Sequence, residues 1–190
     1  LIPNIVVSAP KDESELRDLL YTAVEYPGPF AIRFPKGKGY GVELKQGFNK
    51  LEVGRSEILE KGEEILILAI GSMVYPAVKA TEILKNEGIF PTVVNIRFLK
   101  PLDVPLLEDL FSTHKYIITI EENIITGGLF SAISELLNIL QINRILVPIA
   151  LPEKFIEQGS AELLKDIYNL TESKIAKKIL GVFENIKVKG

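Results

Sequence analysis

The spacing of hydrophobic residues changes several times along this 190-residue chain, and each change predicts a different element. Continuous apolar runs are typical of strands buried on both faces of a parallel sheet, and residues 65–70 are the clearest example. Apolar residues that recur at intervals of three and four predict amphipathic helices. From residue 56 onward the two patterns alternate. Strands are predicted at 56–61, 65–70, 92–98, 116–120 and 145–150, and helices at 75–86, 103–111, 129–140, 160–168 and 172–182.

The start of the chain shows the same alternation on a smaller scale. Residues 5–7 predict a short strand, Asp12 or Ser14 can cap a helix that runs to Val24, and residues 30–34 predict a buried strand. Residues 36–55 are rich in glycine and lack apolar periodicity, which is typical of a linker. The whole pattern predicts an α/β fold with helices on both faces of a layered sheet.

Composition narrows the range of possible functions. The chain has 22 basic and 25 acidic residues, so we expect no broad basic face and no nucleic-acid partner. It has no cysteine and one histidine, which excludes a disulfide framework, thiolate chemistry and a histidine-rich metal cluster. No apolar run is long enough to cross a membrane, and residues 1–10 do not resemble a signal peptide, so we expect a cytoplasmic protein. Because the chain starts with Leu1 rather than Met, we interpret it as a fragment.

Basic residues surround the glycine-rich segment that follows the first β-α-β unit. Arg33 and Lys36 flank Phe34 and Pro35, and Lys38 lies two residues further on. A glycine-rich loop lets the backbone approach a phosphate while cationic side chains neutralise it. The spacing agrees equally well with a phosphate site and with a solvated basic turn.

A second group of candidate residues lies around the predicted strand 116–120. Carboxylates at the end of such a strand can bind a ligand, although a structural or interface role is the simpler interpretation. For the single histidine we expect a capping or interface role, because no oriented partner is visible. No catalytic triad or metal motif is present, so the residues alone do not name a reaction. The candidates are Glu121, Glu122, Asn123, Gly127, Gly128 and His114.

Five segments, in order along the chain, resemble a known enzyme family. They read APKDE (9–13), GPFAIRFPKG (28–37), IRFLKPLD (96–103), IEEN with GG (120–128) and LPEKFIEQG (151–159). Together they resemble the C-terminal part of the 1-deoxy-D-xylulose-5-phosphate synthases, thiamine-diphosphate enzymes of the transketolase superfamily. The last segment favours these synthases over other members of the superfamily.

The resemblance implies a fold, a domain organisation and a reaction. Residues 1–40 would be the tail of a pyrimidine-binding domain, 41–55 a linker, and 56–190 a three-layer α/β/α transketolase C-terminal domain with a mostly parallel, about five-stranded sheet. The full-length enzyme would be a homodimer that uses thiamine diphosphate and Mg²⁺. It would condense pyruvate with glyceraldehyde 3-phosphate to 1-deoxy-D-xylulose 5-phosphate and CO₂, a precursor for isoprenoid, thiamine and pyridoxal phosphate synthesis.

The same resemblance also implies what this chain lacks. The family's diphosphate-binding motif, Gly-Asp-Gly followed by Asn, is absent. Its glutamate that activates the pyrimidine ring of the cofactor, and its histidine-containing substrate-binding segments, would precede Leu1. We therefore expect no catalytic residue here, and an isolated chain that is inactive and binds no thiamine diphosphate. Lys36 stands where the family has an arginine that contacts the substrate phosphate. Arg33 matches the first arginine of that segment, where a buried strand suggests a structural ion pair as much as a ligand.

Two further interpretations remain open at this point. The chain also fits the β-type subunit of a 2-oxoacid dehydrogenase E1 component or the C-terminal subunit of a split transketolase. It could instead be a non-catalytic module that acts alone in dimerisation or regulation.

Overall fold

The computed structural model describes residues 2–44 and 46–187, and the side chains among them up to residue 183. Within these residues eight strands and six α-helices follow one another. The strands are β1 (Val6–Ser8), β2 (Phe30–Ile32), β3 (Glu57–Glu60), β4 (Ile65–Ala69), β5 (Thr92–Asn95), β6 (Phe98–Lys100), β7 (Tyr116–Ile124) and β8 (Ile145–Leu151). The helices are α1 (Glu13–Val24), α2 (Val74–Asn86), α3 (Val104–Thr113), α4 (Leu129–Ile139), α5 (Ala161–Ile167) and α6 (Glu172–Lys187), and a short 3₁₀ turn (Gly71–Met73) precedes α2.

The larger sheet has five strands in the order β3-β5-β4-β7-β8. Its edge strand β3 is antiparallel to β5, and the other neighbours are parallel. Along β4, Ile65 and Ile67 point into the core beneath α2 and α6, whereas Leu66 and Leu68 point into the core beneath α3 and α4. A strand buried on both faces explains the continuous apolar run. The predicted three-layer α/β/α fold with a mostly parallel, five-stranded sheet is confirmed.

A second, three-stranded sheet has the order β2-β1-β6. Strands β1 and β2 are parallel and are joined by α1, as the predicted β-α-β unit requires. Strand β6 is antiparallel to β1. The prediction of a single strand over 92–98 is therefore wrong: at Arg97 the backbone takes a left-handed φ of 52°, which ends β5 and sends β6 to the other sheet. As a result, the beginning of the chain and the large domain share one sheet.

Several predicted boundaries and roles also differ from the structure. Strand β2 is three residues long and half-buried at a sheet edge, so Arg33 lies outside it and is exposed, contrary to the predicted buried setting. Strand β7 continues four residues beyond the predicted end at residue 120. Asp12 caps α1 by accepting from the Glu15 N–H at 2.8 Å, as predicted. Asp103 is the N-cap residue of α3, but its side chain accepts from Arg55 and from the Ser56 N–H and makes no capping bond to α3.

Residues 41–55 contain no helix or strand in the part that the structure describes, which leaves out Lys45. They lie along α1 and bond to its polar side chains. The Asn49 N–H donates to Asp18 at 2.9 Å, and the Leu51 N–H donates to the Thr22 hydroxyl at 2.8 Å. This segment therefore lies against the surface of α1 instead of spanning open solvent.

An ionic cluster joins α1 to the large sheet. Arg97 donates from Nε to Glu15 at 2.6 Å and from Nη2 to Glu57 at 3.0 Å, and Asn95 donates to Glu15 at 2.9 Å. Burial would raise the pKa of Glu57, but the hydrogen bond and charge of Lys11, followed by the charge of Arg97, hold this pKa below its usual value. The cluster ties the β-α-β unit to β3 and β5.

Among the described residues, every helix is too short or too polar to cross a lipid bilayer.

Candidate functional site

A cleft of about 440 Å³ opens between the start of α1, the glycine-rich loop (residues 34–42) and the 3₁₀ turn that precedes α2. Lys36 and Lys38 are exposed and line it, together with Phe34 and Glu13. Two ammonium groups at the edge of a partly apolar cleft suit a small anionic substrate, because the charges neutralise it while the walls exclude water. The structure therefore places Lys36 in a concave site and not on a plain surface turn.

Tyr40 lines this cleft and packs against Tyr75 of α2. The rings of Tyr40 and Tyr75 lie 4.4 Å apart, the Tyr40 hydroxyl donates to the Ser72 carbonyl at 3.1 Å, and the Tyr75 hydroxyl donates to Asp12 at 2.8 Å. Burial, followed by the charge of Glu122, raises the pKa of Tyr40. Burial, followed by the hydrogen bond to Asp12, raises the pKa of Tyr75. Both hydroxyls therefore stay neutral donors at physiological pH, and they hold the loop against α2.

Arg33 does not point freely into the cleft. Its Nη2 donates to the Glu122 carbonyl at 2.6 Å, and the Glu122 carboxylate accepts a short hydrogen bond from the Ser72 hydroxyl. Arg33 and Lys36 thus follow β2 together, but they make different contacts. Arg33 ties the loop to β7, and Lys36 is exposed in the cleft.

Glu121 holds the start of α4. Its carboxylate is 2% exposed and accepts the N–H groups of Leu129 and Phe130 at 2.8 and 2.9 Å. Burial raises the pKa of Glu121, and the two backbone N–H groups and the charge of Arg33 act in the opposite direction. A carboxylate of the protein therefore occupies the N-terminus of α4, the kind of helix end that binds anions.

The other candidate residues predicted around strand β7 lie near the contact between Glu121 and the start of α4. Glu121, Glu122 and Asn123 lie within β7 and not after it, contrary to prediction, and Asn123 is exposed. Gly127 has a φ of 76°, and Gly128 is the N-cap residue of α4. None of the three acidic and amide side chains lines the cleft at Lys36.

His114 lies outside the cleft, at the C-terminal end of α3. It is buried, its Nε2 lies 2.8 Å from the Thr92 hydroxyl, and its Nδ1 lies 2.9 Å from the Leu110 carbonyl. The arrangement supports a structural role that joins α3 to β5.

The described residues contain no group of three or more His, Cys, Asp or Glu side chains placed to hold a metal ion. Glu13 and Tyr40, which line the cleft, and Tyr75, which packs against Tyr40, were not among the residues predicted from the sequence. Tyr40 and Tyr75 are far apart in sequence, and no local pattern predicts their contact. The sequence indicates only the position of Glu13 in the first turn of α1, because acidic residues favour the first turn of a helix.

Sequence comparison identifies the relatives. The sequence profile described as "Transketolase, C-terminal domain" matches residues 54–175, more than half of the chain. A 1-deoxy-D-xylulose-5-phosphate synthase from Dictyoglomus turgidum is 69% identical over 188 residues, which is 99% of this chain and 30% of that protein. One from Dehalococcoides mccartyi is 45% identical over 187 residues, again 30% of that protein. The chain thus spans about a third of the length of these relatives.

Solved structures agree on the fold. A protein described as "Split gene transketolase, inactive beta4 tetramer" superposes with a TM-score of 0.81 at 28% identity, over 95% of this chain and 58% of that one. A transketolase variant from Pichia stipitis superposes with a TM-score of 0.66 over 97% of this chain and 26% of that one, and at 21% identity it supports the fold alone. The resemblance inferred from the five sequence segments is confirmed, and the chain belongs to the transketolase C-terminal domain family.

Proposed function

We propose that this chain is the C-terminal part of a 1-deoxy-D-xylulose-5-phosphate synthase. The whole protein would join pyruvate to glyceraldehyde 3-phosphate with loss of CO₂ to give 1-deoxy-D-xylulose 5-phosphate, a precursor for isoprenoids and for the cofactors thiamine and pyridoxal phosphate. The observation that carries this proposal is the 69% identity to a synthase of this name over nearly the whole chain. Thiamine diphosphate with Mg²⁺ would supply the electron sink for the carbon–carbon bond chemistry.

The residues of this chain do not fit the cofactor site itself. They include no Gly-Asp-Gly motif, and the described part has no carboxylate cluster suited to a metal ion. We assign no chemical step to this chain and propose that the cofactor is held elsewhere in the whole protein. What the chain contributes is the cleft at Lys36, where an ammonium can bind the phosphate of the aldehyde substrate.

A chimeric enzyme tests the proposed activity. This chain would replace the matching 188-residue region of the Dictyoglomus turgidum relative, and product formation from pyruvate and glyceraldehyde 3-phosphate would be followed. The unmodified relative is the positive control, and the relative with that region deleted is the negative control. A folded chimera that releases no CO₂ from pyruvate would contradict the proposal.

The split-gene transketolase neighbour favours a second candidate, a transketolase subunit, because it covers 95% of this chain at 28% identity. The same chimera bears on this candidate, because a transketolase subunit is not expected to complete a synthase. A synthase decarboxylates pyruvate, whereas a transketolase moves a two-carbon unit from a ketose phosphate and leaves pyruvate untouched. We expect the first activity and not the second.

For the isolated chain we expect neither activity nor detectable binding of thiamine diphosphate. The physical reason is that the described residues contain no cluster of His, Cys, Asp or Glu side chains that could hold the Mg²⁺ of the cofactor. Isothermal titration of the chain with thiamine diphosphate and Mg²⁺ measures this directly, with the chimera as the binding control. Micromolar binding by the isolated chain would refute the expectation.

Replacing Lys36 by alanine in the chimera should raise the KM for glyceraldehyde 3-phosphate and leave the KM for pyruvate nearly unchanged. A charge-assisted hydrogen bond is worth about 1.5–3 kcal/mol, so we expect a rise of about 10-fold to 100-fold. Lys36→Arg, which restores the fork-shaped donor, should retain a low KM. Lys50→Ala, an exposed lysine outside the cleft, is the control. Equal changes in both KM values would argue against a phosphate contact.

We further propose that the whole protein is a cytoplasmic homodimer. Large apolar side chains are exposed on this chain, among them Val24 at 82% and Phe155 at 102%. Exposed apolar surface of this kind is usually covered by another domain or subunit.

A further inference from the structure

The carboxylate of Glu13, the first residue of α1, binds the backbone of the glycine-rich loop. It accepts the N–H groups of Tyr40 at 3.0 Å, Gly41 at 2.5 Å and Val42 at 2.9 Å. Its own N–H group is the largest influence that lowers the pKa of Glu13, followed by those of Gly41, Tyr40 and Val42, and partial burial acts in the opposite direction. The side chain is therefore ionised at physiological pH, when its acceptor strength is greatest.

The loop is built to receive this carboxylate. A Cβ atom at Gly39 would lie 2.7 Å from the Glu13 carboxyl carbon and from one of its oxygens, so a side chain there would displace the carboxylate. Gly41 has a φ of 78°, which turns its N–H toward Glu13 and which a side chain would strain. Glycine is therefore required at positions 39 and 41 for the loop to take this conformation around the Glu13 carboxylate.

The other end of the loop is fixed independently. Arg33 donates to the Glu122 carbonyl on β7 at 2.6 Å, and Arg33 N–H donates to the Ser8 carbonyl on β1 at 2.8 Å. Residues 34–39, which include Lys36, therefore span two anchored points. Removing the anchor at Glu13 would leave the loop held at Arg33 and by the Tyr40 contacts, with the next contacts of the segment with α1 at Asn49 and Leu51.

We infer that Glu13 is a positioning residue that sets the conformation of the loop and thereby directs Lys36 toward the phosphate of the aldehyde substrate. This inference rests on the proposed function, since it assigns Glu13 a role in that same cleft. Glu13 itself does not touch substrate. It acts through the backbone of residues 40–42, because three ordered N–H groups fix the path by which the loop leaves the cleft.

The test is Glu13→Gln in the chimeric synthase, which keeps the shape of the side chain but removes its charge. We expect the KM for glyceraldehyde 3-phosphate to rise about tenfold, with kcat and the KM for pyruvate changed less than about twofold. Glu25→Gln removes the same charge at the other end of α1, where the side chain is exposed, and should change none of these values. Lys36→Ala combined with Glu13→Gln should cost little more than Lys36→Ala alone, because both changes act on one contact.

Hydrogen exchange supplies a readout that does not depend on activity. In the Glu13→Gln chimera, the amides of residues 40–42 should exchange faster, whereas those of β4 should be unchanged. Faster exchange of these amides without a change in the KM for glyceraldehyde 3-phosphate would show that Glu13 has only a structural role, and would overturn the inference. Unchanged exchange would also overturn it. If the chimera without this substitution makes no product, it is the proposed function that fails, and the exchange result still decides whether Glu13 orders the loop.

Discussion

Replacing Gly128 by alanine should lower the free energy of unfolding of this chain by about 4 kcal/mol. A Cβ atom at Gly128 would lie 2.0 Å from the Glu121 carboxylate oxygen and 2.8 Å from the Ile124 carbonyl. The buried carboxylate would have to leave its place, which strands the N–H groups of Leu129 and Phe130 and leaves its own charge without these donors. Each buried group that loses its partner costs about 1–3 kcal/mol.

Urea denaturation of the 190-residue chain measures this change. Gly37→Ala is the matched control, since a Cβ atom there meets nothing within 4 Å, and we expect a change within about 0.5 kcal/mol. A loss below about 1 kcal/mol for Gly128→Ala would mean that Glu121 is not needed to cap α4.

Replacing Arg97 by methionine should destabilise the chain by about 3 kcal/mol and loosen the β-α-β unit from the large sheet. The Glu15 side chain is 4% exposed and that of Arg97 is 13% exposed, so the pair lies almost wholly away from water. Removing only the guanidinium leaves Glu15 buried with Lys11 and Asn95 as its remaining partners. Such a half-broken buried pair costs more than the intact pair contributes.

Denaturation and hydrogen exchange together test this prediction. Lys79→Met removes a charge from an exposed position on α2 and should change the free energy of unfolding by less than about 0.5 kcal/mol. Exchange should accelerate most in β1 and α1.

The lowered pKa of Glu57 predicts how stability depends on pH. A lowered carboxyl pKa stabilises the fold above the ordinary pKa of 4.5, and this stability is lost as the pH falls. Because Arg97 helps to lower the pKa of Glu57, the variant should lose less stability than the unmodified chain on acidification below that value. Equal acid sensitivity and no change in α1 would contradict the assigned role.

Much of the fold is predictable from the sequence because its elements have strong local signals. The buried strand β4 is a continuous apolar run, and helix α1 begins at the expected cap, Asp12. Strand β6 was not predictable, because the break before it depends on a left-handed backbone at Arg97, a residue type that does not favour that conformation. The apolar pattern continues through the break, since Phe98 is buried in the small sheet just as Ile96 is buried in the large one.

The candidate site was predictable only in part. Lys36 and its glycine-rich loop follow from the sequence motif and the family resemblance. The contacts of Glu13 with residues 40–42, and of Tyr40 with Tyr75, join residues 27 or more positions apart, and only the folded chain brings them together. Arg33 was expected to be buried because the apolar run before it suggested a longer strand. In fact β2 ends at Ile32 at a sheet edge.

Our central proposal is that this chain would supply the phosphate contact of a 1-deoxy-D-xylulose-5-phosphate synthase. The most direct measurement is the KM of the chimera for glyceraldehyde 3-phosphate and for unphosphorylated D-glyceraldehyde, each with and without Lys36→Ala. We predict a rise of at least about tenfold for the phosphorylated aldehyde and no change for D-glyceraldehyde, because only the first has a phosphate for Lys36 to bind. Equal effects on the two aldehydes, or no effect on either, would contradict the claim.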